Sequence, residues 1–72
     1  MKLPRDLSGA DAVRALERLG FTRVRQTGSH IRLSRGSLHL TVPAHDALSP
    51  GTLRSILRQA GLGLEEFGKA LK

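Results

Sequence analysis

The groups in this chain best suited to proton and phosphate chemistry are three histidines, His30, His39 and His45, set among nine arginines. His30 follows Gly28-Ser29 and opens an alternating run in which Ile31 and Leu33 take one side and His30 and Arg32 the other. An imidazole titrates near pH 6.5, so it gives or takes a proton at neutral pH without special tuning. The planar fork of arginine suits phosphate oxygens and can stabilise the extra negative charge of a phosphorane-like transition state. RNA carries its own nucleophile, the 2′-hydroxyl. Cleaving it therefore takes a base, an acid for the leaving oxygen, and cations that hold the phosphate. His30 is the candidate for the proton transfer. Ser29, Arg32 and His39 would share its surface, and no metal or cofactor is called for.

Such residues need a frame. Ser8 opens a helix, with Asp11 three positions on in a variant of the capping box, and Gly20 is its stop. Ala12, Val13, Leu16 and Leu19 recur at helical spacing on its inner face, opposite Arg14 and Arg18. Phe21 to Gln26 reads as a first strand, with Phe21 buried and Val24 a candidate to join it, and Thr27-Gly28 turns the chain. His30–Ser34 and Ser37–Val42 read as two further strands joined through Arg35-Gly36. Pairing Ser34 with Ser37 sets Leu33 opposite Leu38 and Ile31 opposite Leu40 on one face. On the other it sets Arg32 opposite His39 and His30 opposite Thr41.

Pro43 ends the sheet, because it has no N–H to give a ladder. Ala44–Leu48 is a loop that carries His45. Ser49-Pro50 is a cap followed by proline at the first helical position. Leu53, Ile56, Leu57 and Ala60 are the buried stripe of the helix that follows, which Gly61 closes. Arg54 and Arg58 lie four apart on its outer side, and its Ser49-Pro50-Gly51-Thr52 start offers backbone amides to phosphate. Glu65–Leu71 forms a short last helix held by Phe67 and Leu71. The layout is α-β-β-β-α with a small C-terminal helix, an α+β fold in which helices cover one face of an antiparallel sheet and leave the other open.

Seventy-two residues at net charge +6 make one small basic domain over 1–72, with little stability to spare. The charge directs it toward nucleic acid or an acidic protein. Only two aromatic residues exist, both phenylalanine in apolar settings, so reading single strands by base stacking is excluded and contact with RNA would run through backbone and shape. The lack of cysteine removes disulfides and thiolate metal sites and favours a cytoplasmic setting. No apolar run reaches the roughly 18 residues of a membrane span, and no signal-peptide core is visible at the N-terminus.

Other chemistries fare worse. A zinc site from His30, His39 and His45 lacks cysteine and any carboxylate on that face, and it needs His45 folded over the sheet. No G-x-S-x-G elbow supports a nucleophilic serine. A non-catalytic module that binds double-stranded RNA or an acidic protein stays open, since the same basic surface serves it. On either reading the candidate RNA-binding residues are Ser29, Arg32, His39, His45, Arg54 and Arg58.

Gly20-Phe21, Gln26, Gly28-Ser29-His30, Val42-Pro43-Ala44-His45, the run Gly51 to Gly61 and Glu65-Glu66-Phe67 together resemble the HicA toxins, the mRNA interferases of toxin–antitoxin pairs. The resemblance spans nearly the whole chain in order. It implies a fold like a double-stranded-RNA-binding domain and ribosome-independent endoribonuclease cleavage of mRNA. It maps the catalytic histidine onto His30. It also implies a HicB-type antitoxin that covers the active face and whose complex represses the operon.

Overall fold

The structure, a computed structural model, describes residues 7–71; Met1–Asp6 and Lys72 lie outside the described residues. Helix α1 (Gly9–Arg18) leads into strands β1 (Thr22–Thr27), β2 (His30–Arg35) and β3 (Leu38–Pro43), followed by α2 (Pro50–Ala60) and α3 (Leu64–Ala70). The strands form an antiparallel sheet in the order β1-β2-β3. The helices pack on one face of it, the α+β arrangement of a double-stranded-RNA-binding domain.

The helix ends follow from their residues. Ser8 and Asp11 cap α1 reciprocally: the Asp11 N–H donates to the Ser8 hydroxyl at 3.0 Å and the Ser8 N–H to the Asp11 carboxylate at 3.3 Å. Asp11 also pairs with Arg14. These hydrogen bonds from Ser8, then the nearby guanidinium, hold the Asp11 carboxyl below its ordinary value of 3.8. Ser49 accepts the Thr52 N–H and Pro50 takes the first position of α2. Gly61 ends that helix in the left-handed conformation.

The core lies between the sheet and the helices. Ala12, Val13, Ala15 and Leu16 of α1 and Leu53, Ile56, Leu57 and Ala60 of α2 close over Ile31, Leu33, Leu40 and Val42. Phe21, Leu48 and Phe67 fill the gaps, and no polar side chain is buried among the described residues. Burying a side chain such as the fully enclosed Phe67 stabilises by roughly 1.5–3 kcal/mol. It anchors α3 against α1, where Arg18 also donates to the Ala70 carbonyl at 2.7 Å.

Two expectations for the sheet are corrected. The second hairpin turns through Gly36-Ser37, with Arg35 opposite Leu38, so the pairing lies two residues away from the one inferred. Leu33 faces Leu40, Ile31 faces Val42, Arg32 faces Thr41, Ser34 faces His39 and His30 faces Pro43. The cause is the turn. Only Gly36 has a positive φ there (59°), which fits a two-residue turn with glycine first, and Arg35 keeps an extended place in the strand. A shift of two leaves every residue on its expected face, since side chains alternate with period two. The second correction concerns Val24, which is 57% exposed rather than buried. The ladder breaks between Arg23 and Arg25, leaving Val24 as the extra residue of a bulge.

Candidate functional site on the open sheet face

The face turned away from the helices is built from the outward positions of three strands. His30, Arg32 and Ser34 alternate with the buried Ile31 and Leu33, and His39 and Thr41 with the buried Leu40 and Val42. β1 contributes through its bulge. Beyond Val24, Arg25 pairs with Arg32 and Thr27 with His30, so Arg25 and Thr27 join the open face. Arg23 and Gln26 fall on the helix side, beside Ser8, Ala10 and Ile31.

An open depression of about 530 Å³ results, lined by Arg25, Thr27, His30, Arg32 and Thr41. The His30 side chain is exposed at its edge. A second depression adjoins it along the strands and is bordered by Val24, Arg25, Arg32, Leu33, Ser34 and His39. Arg25 and Arg32 belong to both. No strand residue carries a carboxylate: the acidic groups among the described residues are Asp11 and Glu17 on α1, Asp46 in a loop, and Glu65 and Glu66 on α3. The face is therefore uniformly basic, fit to attract an anion and without a counter-charge of its own.

Local structure fixes where His30 stands. The first hairpin turns on Gly28 at φ 58°, and Ser29 hands its carbonyl to the Ala44 N–H at 2.6 Å. His45 in turn accepts the Gly9 N–H at 2.9 Å, and a Cβ on Gly9 would stand 2.1 Å from the Pro43 carbonyl oxygen. The turn before His30 is thus tied to the loop after β3, and that loop to the start of α1.

The structure gathers some of the expected residues and disperses others. His30 and Arg32 share the first depression; His39 lies in the second, four residues along the ladder, about 13 Å at the rise of a strand. Ser29 sits in the turn beside His30, with its carbonyl engaged as above. His45 borders a separate hollow on the helix side with Ser8, Arg23 and Asp46. Arg54 and Arg58 are exposed on α2 and line neither depression of the open face. No three histidine or acidic side chains gather as a metal site among the described residues. Arg25 and Thr27 are neighbours of His30 that the sequence reading did not pick out. β1 is exposed along its whole length, so no buried alternation announces which way its side chains face.

No helix among the described residues is long and apolar enough to cross a membrane. A search among curated proteins finds no match to the chain. The family model of the HicA toxin of bacterial toxin–antitoxin systems matches residues 9–62, from the first residue of α1 to just beyond α2. That span is three quarters of the chain and contains every strand of the site. The chain belongs to the HicA toxin family.

Proposed function

We propose that this toxin is an endoribonuclease that cuts mRNA with His30 as its catalytic acid and base. Neutral His30 takes the proton of a ribose 2′-hydroxyl, and the freed oxygen attacks the adjacent phosphorus. The bond from phosphorus to the 5′-oxygen breaks, and the imidazolium returns its proton to that leaving oxygen. Arg32 and its neighbours balance the charge that builds on the phosphate oxygens. Proton transfer by a positioned side chain contributes typically 10²–10⁴-fold, which is enough for one histidine to make the difference between a toxin and an inert binder.

The observation that carries this reading is the exposed His30 on an arginine-lined depression with no carboxylate on the surrounding strands. Ser29, Arg32 and His39 hold the RNA along that face. Arg54, Arg58 and His45 lie elsewhere, so any contact they make is with more distant parts of a long RNA. As a toxin of a toxin–antitoxin system the chain has an antitoxin partner. A HicB-type antitoxin would silence it by covering the open face. Expression of wild type and His30→Ala from a tight promoter tests the reading: wild type arrests growth and degrades transcripts, and the alanine variant does neither. An equally toxic, equally RNA-cutting variant would remove His30 from the chemistry. A variant that still binds RNA while wild type never cuts would leave a binding module instead.

A further inference from the structure

The register places Arg25 directly opposite Arg32, two like charges on neighbouring strands. Such pairs destabilise a sheet. Neither guanidinium is compensated among the described residues, where neither Arg25 nor Arg32 makes an ion pair or a hydrogen bond. Arg35, on the same strand as Arg32, is by contrast fully employed, donating to the Leu19 carbonyl at 2.9 Å and lying 4.8 Å over the Phe21 ring. The bulge makes the placement of Arg25 specific. Were β1 paired regularly through Val24, with no bulge, its alternation would turn Arg25 to the helix side.

We propose that Arg25 and Arg32 form a phosphate clamp, a pair of guanidiniums that converge on one phosphodiester between the two depressions. Directly opposed residues of an antiparallel pair have Cα atoms about 4.5–5.5 Å apart, so two planar forks can grip one tetrahedral anion. Thr27 and Thr41 line the same hollow and can add hydroxyl donors. A phosphate held there has His30 on one side and the Val24, Ser34 and His39 hollow on the other. The ligand class is a nucleotide chain that continues past the phosphate in both directions. The clamp takes its natural ligand from the RNA-cleaving reading, but its existence is testable without cleavage.

The full chain is compared as wild type, Arg25→Ala, Arg32→Ala and His30→Ala, in low-salt buffer held at constant ionic strength with chloride. The probes are inorganic phosphate and a mixed-sequence oligoribonucleotide blocked by 2′-O-methyl groups. Melting temperature and backbone amide NMR shifts are the readouts. Phosphate should raise the melting temperature of wild type and of His30→Ala, and move the amides of Arg25, Thr27 and Arg32. Each arginine variant should melt a few degrees higher than wild type without phosphate, since the repulsion is relieved. Each should also lose the response to phosphate and bind the oligonucleotide roughly ten- to a hundredfold more weakly. An arginine variant that answers phosphate and oligonucleotide as wild type does would overturn the clamp, whatever His30 does. If instead His30→Ala still cuts unblocked RNA at the wild-type rate while the phosphate response depends on both arginines, the clamp stands and the cleavage reading fails.

Discussion

The sheet contains the same turn twice. Thr27-Gly28-Ser29-His30 joins β1 to β2 and Arg35-Gly36-Ser37-Leu38 joins β2 to β3, each with glycine at a φ near +60° and serine after it. One dipeptide solves one backbone problem at both ends of the central strand. What differs is the surroundings. β2 has six residues, an even number, so its first and last side chains face opposite ways. His30 opens on the arginine-lined face. Arg35 closes on the helix side, where the Leu19 carbonyl and the Phe21 ring hold it. The first turn is bonded to the loop after β3, whereas Leu38, just beyond the second, is 37% exposed. The Gly-Ser turn therefore carries no function in itself. Its position beside Arg25 and Arg32, on a braced end of the sheet, is what would make a histidine after it useful.

The largest break in this comparison should come from the bracing. In Gly9→Ala the new methyl meets the Pro43 carbonyl, so α1 and the loop after β3 must part. Overpacking of this kind costs typically 1–3 kcal/mol, and each kcal/mol lowers the melting temperature of so small a domain by about 4–8 °C. Calorimetry should find that drop, and RNA cleavage should fall with it, because the loop that Gly9 abuts also holds the Ser29 turn.

The two turns can then be set against each other. Gly28→Ala and Gly36→Ala each force alanine into a left-handed φ with no clash nearby, at about 1–2 kcal/mol. Denaturant melts should give similar losses for both. Cleavage assayed below the melting range should fall in Gly28→Ala and stay near wild type in Gly36→Ala. Equal activities would mean that the position of His30 does not depend on its turn.

How much of this was legible in the sequence follows from the same contrast. The capped amphipathic helices were readable because α1 and α2 each have a buried side to impose a period. The faces of β2 and β3 were readable for the same reason, through Ile31, Leu33, Leu40 and Val42. Their pairing was not, because a slip of two residues preserves every face and only the turn decides. Arg35-Gly36 and Gly36-Ser37 both look like turns until the positive φ is assigned to the first central position. β1 was least legible: with no buried residue it has no pattern to violate, so the bulge at Val24 leaves no trace in the sequence and nothing there singles out Arg25. Of the candidate site, His30, Arg32 and His39 were found by alternation. His45, Arg54 and Arg58 were grouped with them by chemistry alone, and the fold sets them apart from the open face.

The smallest effect concerns the cap that starts α1 next to the braced loop. The folded pKa of Asp11 lies below the unfolded value, chiefly through its hydrogen bonding with Ser8. The stabilisation it brings is therefore present above pH 3.8 and lost as the pH falls through the folded value. Acid titration of stability should reveal a slight extra loss below about pH 4 in wild type that is missing in Asp11→Asn. The Gly36 end of the sheet, which has no acidic residue on its strands, should contribute nothing to that difference.

The central claim is that proton transfer by the imidazole at position 30 cuts RNA, and the pH dependence of cleavage by purified toxin tests it most directly. Single-turnover rates of wild type should change between pH 5 and 8, the range in which imidazoles titrate. His30→Gln should be slower by about 10²-fold or more at every pH, with unchanged circular dichroism. A wild-type rate that is flat across that range, matched by His30→Gln, would contradict the account.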